Sequence, residues 1–329
     1  MSKETSGQNR RSSDRMRQTA VIALGGNALS PAGVRSTIHD QFRHSRASLG
    51  PIVDLALDEW NVCVVHGNGP QVGDELVRNE IARHEVAPLP LGVLVAATAG
   101  WIGYMIQQSL ENALRQAGSS REVATIITQV HVDPEDPALA SPTKFIGHEI
   151  PSERAKSLIA EGHPVLADGR GRMRRVVGSP PPKMIHELGV IRRLVQAGTI
   201  VIACGGGGAP IYFDEKVHGF EGIDAVVDKD LSAAVLARDL GAELLVILTD
   251  VDAVYADWGT PQQRPLRRLP LAEAERLDEA GAFGEGSMAP KVRAAIEFVR
   301  STGGRAVITE LSRGREAVAG NAGTTFEPG

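Results

Sequence analysis

Short apolar runs that stop at glycines recur along the chain. The runs at 19–24, 61–65 and 199–203 each lead, at once or after one residue, into a glycine-rich turn. An unbroken apolar run of this length is typical of a strand that is covered on both faces, as in a parallel sheet. The segments at 36–59 and 91–116 show helical periodicity instead. This alternation predicts an α/β fold built on a mainly parallel sheet.

The same pattern predicts the remaining elements. A helix should begin near Pro70, because proline suits the first helical position. Gly50-Pro51 should interrupt the helical segment that precedes the second strand. The other predicted elements are strands at 121–130, 244–248 and 306–309, helices at 184–197 and 231–240, and an amphipathic helix that ends at Val299.

One long segment does not fit the pattern. Residues 131–182 are rich in proline, glycine and charge, and their periodicity is poor. A segment of this length without core strands favours an inserted subdomain, here called the lid. It contains Lys144 and a basic stretch at 170–175. The basic stretch has two interpretations, a solvated face or a phosphate-facing edge of the lid, and the sequence favours neither.

Composition narrows the possible partners. The 329 residues are enough for one large α/β domain or for two lobes that share a sheet. The net charge of −5 and the aromatic content of 4% argue against a nucleic-acid partner or an anionic membrane surface. No apolar run approaches the roughly 18 residues of a membrane helix. We therefore expect neither a nucleic acid nor a membrane as partner.

The cysteines and the N-terminus favour a cytoplasmic protein. Cys63 and Cys204 lie in or directly after apolar runs, so buried reduced thiols are expected. A nucleophilic Cys204 is disfavoured because no histidine–aspartate partner set is recognisable near it. Residues 1–18 are polar and lack the apolar core of a secretory signal, so a disordered tail is predicted.

The glycine-rich strand ends suggest a site for a polyanion. Glycine lacks the Cβ that would keep a ligand from the backbone, and freed amides near a helix start bind anions. One such turn is weak evidence, but Gly25-Gly26, Gly67–Gly69 and Gly205–Gly208 would face the same crevice of a parallel sheet. His66, at the second strand end, is interpreted either as a donor to the ligand or as a structural residue.

Charged residues add the expected chemistry. Asp228-Lys229-Asp230 precedes a predicted helix and suits a phosphate clamp, although an N-cap with surface charges is the alternative. Lys291 near a helix start opposes the dipole there, which a bound anion would explain. The polar residues from Thr249 to Tyr255 follow the most hydrophobic strand and could meet a nucleotide or its metal. P-loop, protein-kinase and HExxH motifs are absent from the sequence. The pattern indicates a phosphoryl-transfer enzyme outside those classes.

Taken together, these motifs resemble those of carbamate kinases in the amino acid kinase superfamily, from about Thr19 to the C-terminus. The motifs that carry the resemblance are ALGGNA at 23–28, HGNGPQVG at 66–73, SPTK at 141–144, CGGGG at 204–208, VDKD at 227–230, TDVD at 249–252 and GSMAPK at 286–291.

The resemblance implies a fold and an activity. The fold would be a three-layer α/β/α sandwich on a mainly parallel sheet, with the lid as an inserted protruding subdomain, in a homodimer. Within a kinase domain at 19–329, residues 19–215 would form the phosphoryl-acceptor lobe and 216–329 the nucleotide-binding lobe. The reaction would be ATP + carbamate ⇌ ADP + carbamoyl phosphate, serving ATP synthesis in the catabolism of nitrogen compounds such as arginine.

The resemblance also implies site residues. The residues expected around carbamate and the transferred phosphoryl group are Gly25, Gly26, Asn27, Gly67, Asn68 and Gly69, with Gly205, Gly206 and Gly207 as a third wall. The catalytic group would be Lys144, Lys229 and Lys291, with Asp228 and Asp230 orienting Lys229 and Lys291. The residues expected along ATP or ADP are Thr249, Asp250, Val251, Tyr255, Met288 and Lys291. Mg²⁺ would arrive with the nucleotide, held by phosphate and water rather than by protein ligands.

Two positions depart from the family pattern. Ala99 stands between Thr98 and Gly100, where the family usually has glutamine, and Gly178 stands where proline is usual. We expect an active kinase with slower turnover than members that retain the glutamine. One alternative is a related kinase that phosphorylates another small carboxylate. The other is a nucleotide-binding regulatory protein without turnover, which retention of all three lysines disfavours.

Overall fold

The computed structural model describes residues 17–26, 29, 36–283 and 288–329. Most of the predicted N-terminal tail, and Asn27 of the predicted substrate site, lie outside the described residues.

The strands are β1 (Thr19–Leu24), β2 (Asn61–His66), β3 (Val123–Thr125), β4 (Gln129–His131), β5 (Lys144–Ile146), β6 (Val165–Ala167), β7 (Met173–Val177), β8 (Met184–Ile185), β9 (Ile200–Ile202), β10 (Ala209–Asp214), β11 (Gly219–Gly222), β12 (Leu244–Thr249), β13 (Val254–Ala256), β14 (Arg264–Leu266), β15 (Arg268–Pro270), β16 (Arg305–Glu310) and β17 (Thr324–Glu327). The helices are α1 (Ile38–Ala47), α2 (Gly50–Leu57), α3 (Gly69–Ala82), α4 (Leu91–Gln116), α5 (Pro137–Ala140), α6 (Ser152–Ala160), α7 (Leu188–Gln196), α8 (Lys229–Leu240), α9 (Leu271–Glu279), α10 (Met288–Thr302) and α11 (Gly314–Val318). Within the described ranges, none of these helices is long and apolar enough to cross a lipid bilayer.

The largest sheet has eight strands in the order β15-β17-β16-β12-β1-β2-β9-β3. Its central pairs, from β16 to β3, are all parallel, and the antiparallel pair is β16 with β17. This confirms the predicted mainly parallel sheet. Strands from both expected lobes share it, because β1 lies between β2 and β12. The division into lobes at 215/216 stays a prediction.

Helices cover both faces of this sheet. In β1, Val21 and Ala23 belong to a buried cluster that includes residues of α7, α8 and α10. The alternate residues Ala20, Ile22 and Leu24 belong to a second cluster with α2, α4 and α11. Successive side chains of a strand point to opposite faces, so one strand supplies both cores. Each large aliphatic side chain buried in these clusters stabilises the fold by about 1.5–3 kcal/mol. A helical layer on each face of the sheet confirms the predicted three-layer α/β/α sandwich.

Two predicted elements are wrong in detail. The strand predicted at 121–130 is divided into β3 in the large sheet and β4 in a four-stranded sheet with β8, β10 and β11. Between them, the Thr128 hydroxyl donates to the Ile126 carbonyl at 2.9 Å and accepts from the Cys204 amide at 3.0 Å. Side-chain bonds to the backbone compete with strand pairing, and here they end the strand. The helix predicted at 184–197 begins only at Leu188, after β8, which pairs with β4.

The lid has its own small sheet. Strands β5, β7 and β6 form a three-stranded antiparallel sheet, separate from the large one. Helix α6 packs beside it, with a small core of Ala155, Leu158 and Val165. As predicted, the lid contributes no strand to the large sheet, but it does form a small sheet of its own.

Both cysteines are free and buried. Burial raises the pKa of the Cys63 thiol to about 12 and that of Cys204 well above its usual value. The two thiols stay protonated near neutral pH, which confirms the predicted buried reduced thiols and makes Cys204 a poor nucleophile.

Candidate functional site

Four parallel strands bring the glycine-rich turns to one edge of the large sheet. Strands β12, β1, β2 and β9 are neighbours, so their carboxyl ends meet. The Gly25 amide donates to the Leu248 carbonyl at 2.9 Å, and the Gly67 amide donates to the Leu24 carbonyl at 3.1 Å. The structure therefore places Gly25, Gly26, Gly67 and the end of β12 side by side.

The four glycines after β9 have a steric explanation within the protein. A Cβ on Gly205 would lie 2.6 Å from Nε2 of His66, and one on Gly206 would lie 2.2 Å from Nδ2 of Asn68. Gly206 and Gly207 also have φ of +67° and +93°, which other residues rarely adopt. Close packing and backbone conformation thus require glycine here, which gives the run a structural reason beside the predicted polyanion site. Substrate contact at Gly205–Gly207 stays a prediction.

Asp228 joins the lid to the large sheet. It is the N-cap of α8, where Oδ1 accepts the amides of Asp230 at 2.8 Å and Leu231 at 3.3 Å. Its Oδ2 accepts from Nζ of Lys144, which projects from β5 of the lid. Asp228 is therefore an N-cap, but the charges beside it are buried rather than on the surface, and the phosphate clamp stays a prediction. The partner differs from the expectation, since Asp228 orients Lys144 rather than Lys229 or Lys291.

Asp230 holds the other two lysines. Its carboxylate pairs with Lys229 and, at 3.2 Å, with Lys291 of α10. Asp230 thus gives Lys291 a negative partner near the start of α10, and the expected bound anion stays a prediction. Asp230 itself is only 2% exposed. Three lysines against two aspartates leave one net positive charge, which suits a site for an anion.

The charges of this cluster support one another. Burial lowers the pKa of Lys229, even though Asp230 opposes the effect. Burial would also lower the pKa of Lys291, but the charges of Asp230 and Asp228 outweigh it and hold that pKa above its usual value. Burial would raise the pKa of each aspartate, and the neighbouring lysines instead lower both. The charged forms of Asp228, Asp230 and Lys291 are therefore favoured by their neighbours.

The predicted nucleotide residues divide into two groups. Thr249 ends β12 and donates to Asp250 at 3.1 Å, and the charge of Asp250 acts on Lys291. Met288 begins α10, the helix that carries Lys291, and packs on the core. Half-buried Val251 follows Asp250 directly in the chain. Tyr255 lies apart on β13, where its hydroxyl donates to Asp252 at 2.6 Å and its ring meets Trp258.

A buried hydrogen bond orients the acceptor turn. Asn68 donates from Nδ2 to Oγ1 of Thr98 at 2.9 Å, and the Thr98 hydroxyl in turn donates to the Leu94 carbonyl at 2.8 Å. Thr98 was not among the predicted site residues, although a lone threonine among small apolar residues of α4 is a usable signal. Buried Ala99 lies next to it, against Gly205.

His66 has a structural environment. The ring is completely buried, and Nδ1 lies 3.1 Å from the Gly67 carbonyl oxygen. Burial lowers the pKa of His66 to about 4. The imidazole is therefore neutral near pH 7, and of the two interpretations of this residue the structure favours the structural one.

This pKa predicts a pH-dependent loss of stability. The unfolded histidine has its usual pKa near 6.5, so below that value the unfolded chain binds a proton that the folded chain refuses. Stability from this group is present above about pH 6.5 and falls as the pH approaches 4. Between about pH 7 and 5, the wild type should lose about 2 kcal/mol of unfolding free energy more than His66→Gln. Urea unfolding at both pH values measures this difference, and equal losses in the two proteins would contradict it.

Three arginines of the basic stretch of the lid make contacts within the protein, whereas Arg170 is exposed to solvent. Arg172 pairs with Asp168 at 2.7 Å. Arg174 donates to the Gly147 carbonyl at 2.7 Å, and its guanidinium lies 5.5 Å from the centre of the Phe145 ring. These contacts hold the lid together, and Arg175 pairs with Glu80 of α3. A phosphate-facing role of the stretch stays a prediction.

The comparisons with known proteins agree with this geometry. The profile of the amino acid kinase family matches residues 18–310. The carbamate kinase of Pyrococcus horikoshii is 43% identical over 95% of this chain and 100% of the relative. That of Escherichia coli K12 is 44% identical over 93% and 98%. The solved structure of carbamate kinase from Giardia lamblia bound to AMP-PNP superposes with a TM-score of 0.87 and 37% identity, over 95% of this chain and 99% of that one.

Proposed function

The chain belongs to the amino acid kinase family, and from this premise we propose that it transfers a phosphoryl group reversibly between ATP and carbamate, giving ADP and carbamoyl phosphate. The observation that carries the proposal is the buried cluster of three lysines and two aspartates beside the glycine-rich strand ends. Relatives that are carbamate kinases over nearly their whole length support the choice of acceptor.

The chemistry needs charge compensation more than proton transfer. A carbamate oxygen forms a bond to the γ-phosphorus while the bond from that phosphorus to the β–γ bridging oxygen breaks, and ADP leaves with the electron pair. Negative charge spreads over the equatorial oxygens in the transition state, so positioned cations and amides accelerate the step. Carbamate is already an anionic nucleophile, and the mechanism requires no general base.

Each group of residues then has a task. The amides of Gly25, Gly26 and the Gly67–Gly69 turn would contact carbamate and the transferred group, as would Asn27. Lys144, Lys229 and Lys291 would offset the moving charge, since Asp228 and Asp230 hold them at one place. Thr249, Asp250, Val251, Tyr255 and Met288 would lie along the nucleotide.

Mg²⁺ fits this site as a companion of the nucleotide. In the described part of the chain, no group of three or more His, Cys, Asp and Glu side chains could hold a metal ion. Mg²⁺ commonly keeps several waters and binds substrate phosphates with at most one or two carboxylates. It would therefore be held mainly by the phosphates of ATP or ADP and would neutralise part of their charge.

A homodimer is part of the proposal. The outer face of α4 carries half-exposed Val93 and Tyr104, and half-exposed Ile127 lies beside Tyr104 at the same surface depression. Apolar side chains on one helix face favour burial against a second protein surface. Sedimentation of the purified protein at micromolar concentration tests this, with a monomer as the contrary result.

The activity is tested with Lys144→Ala in a coupled assay of ATP formation from ADP and carbamoyl phosphate. We expect robust turnover by the wild type and a loss of about a hundredfold or more in the variant, because one positioned cation is removed. Lys156→Ala is the matched control, since Lys156 is an exposed lid lysine that pairs with Glu153 within α6. Nucleotide binding without turnover by the wild type would instead favour a regulatory protein.

A further inference from the structure

One acidic side chain of α3 pairs with two arginines of the lid. Glu80, near the end of α3, pairs with Arg154 of α6 and with Arg175 of β7. The side chain of Glu80 is 18% exposed, and that of Arg175 is 15% exposed. An ion pair with this little solvent around it is costly to break from one side, because the remaining charges lose their partner. Without Glu80, the two arginines would also face each other with like charge.

The arginine that Glu80 holds is directly connected to the lysine strand. Strand β7 pairs with β5 so that Arg175 lies opposite Ile146 and Val177 lies opposite Lys144. Gly147, which follows Ile146 at the end of β5, donates its amide to the Gly69 carbonyl at the start of α3, at 2.9 Å. Helix α3 thus contacts the lid near both of its ends, and β5 lies between those contacts.

Helix α3 also begins at the acceptor turn. Its N-cap is Asn68, and its first residue is Gly69. Glu80 is eleven residues further along, about 16 Å at the rise of an α-helix, so it is too far away to touch the reacting atoms. Any effect of Glu80 on the reaction must therefore act through the position of the lid.

The other ion pairs between the lid and α3 are more exposed, although Val72 of α3 also packs in a buried cluster with Ile146 and Val177 of the lid. Arg83 pairs with Glu161 at 3.2 Å, but both side chains are largely exposed. His148 lies 3.6 Å from Asp74, which is also well exposed. Exposed ion pairs contribute little to stability. The bridge through Glu80 is the most buried of these ion pairs, and it is the one that leads into the β5–β7 pairing.

We propose that Glu80 is a positioning residue for Lys144: by holding Arg175 and Arg154 on α3, it keeps β5 where Lys144 reaches Asp228. Its effect on catalysis rests on the function proposed above, whereas its effect on the environment of Lys144 does not.

The kinetic test combines Glu80→Gln with Lys144→Ala. Glu80→Gln alone should lower kcat for ATP formation about tenfold and leave the KM for ADP within about twofold, because the nucleotide residues lie on other elements. In the Lys144→Ala background, Glu80→Gln should change kcat by less than about twofold, since the group it places is already gone. A full tenfold loss in both backgrounds would show a general structural role and overturn the proposal. Glu161→Gln, which removes an exposed pair between the same two parts, should leave kcat unchanged.

A second measurement is independent of activity. Acylation of lysines with an N-hydroxysuccinimide ester, followed by peptide mass spectrometry, reports how accessible Lys144 is. Glu80→Gln should raise the labelling rate of Lys144 at least about threefold, because the lysine leaves its ion pair, while exposed Lys156 serves as the internal reference. An unchanged Lys144 rate overturns the proposal even if the wild type forms no ATP. Inactivity of the wild type with faster Lys144 labelling in the variant contradicts only the proposed function.

Discussion

Asp230→Asn is expected to lower ATP formation by about a thousandfold and to reduce the free energy of unfolding by about 3–5 kcal/mol. Asp230 is 2% exposed and is the partner of both Lys229 and Lys291. Asparagine keeps the shape but removes the charge, so two lysines remain in a poorly solvated place without this counter-charge. Such a change costs more than the ion pair itself contributes, because the leftover charges are not rehydrated. Urea unfolding and the coupled assay measure the two effects.

Asp239→Asn is the matched control for this prediction. Asp239 lies on the same helix α8 and pairs with its neighbour Arg238; the two side chains are 18% and 35% exposed. Its loss should cost less than about 1 kcal/mol and leave turnover unchanged, since it leaves only one unpaired lysine or arginine and that side chain still reaches solvent. If Asp230→Asn had the same free energy of unfolding as the wild type, the lysine cluster would not depend on this carboxylate.

The parts of the fold that the sequence predicts are those set by local patterns. The strand at 19–24 and the long helix at 91–116 follow from periodicity over a few residues, and both are found at those positions. The Asp228-Lys229-Asp230 motif can be recognised in the sequence because its three charged residues are adjacent in the chain. Carboxyl ends of neighbouring parallel strands meet by topology, so the crevice could also be predicted.

The missed features depend on residues that are far apart in the chain. Lys144 and Asp228 are 84 positions apart, and Arg175 and Glu80 are 95 positions apart. No local pattern indicates which of many surface charges will meet after folding. The division of the strand predicted at 121–130 has the same origin, because Thr128 ends it by binding the amide of Cys204, 76 positions away. Pairing across such distances is decided by the tertiary structure.

Gly73→Ala is expected to lower ATP formation about a hundredfold while leaving the large sheet folded, because it disturbs the contact between Gly73 of α3 and Gly147 of the lid. An alanine Cβ at this position would lie 2.1 Å from Cα and 2.4 Å from the amide nitrogen of Gly147. Both atoms are backbone, so a side-chain rotation cannot relieve the overlap, and the loop after β5 must move. Displacing catalytic groups by about 1 Å can cost about a hundredfold in rate. Stopped-time assays at saturating ADP measure the loss.

Gly50→Ala separates this effect from the general cost of changing a helical glycine. Gly50 begins α2, and a Cβ there would meet nothing within 4 Å. Alanine is favoured over glycine in helices by about 1 kcal/mol, so neither variant should lose stability through helix propensity. The control should keep wild-type turnover, whereas Gly73→Ala should lose it and should also expose Lys144 to acylation. If Gly73→Ala turned over as fast as Gly50→Ala, the close contact of Gly73 with Gly147 would not be needed for the reaction.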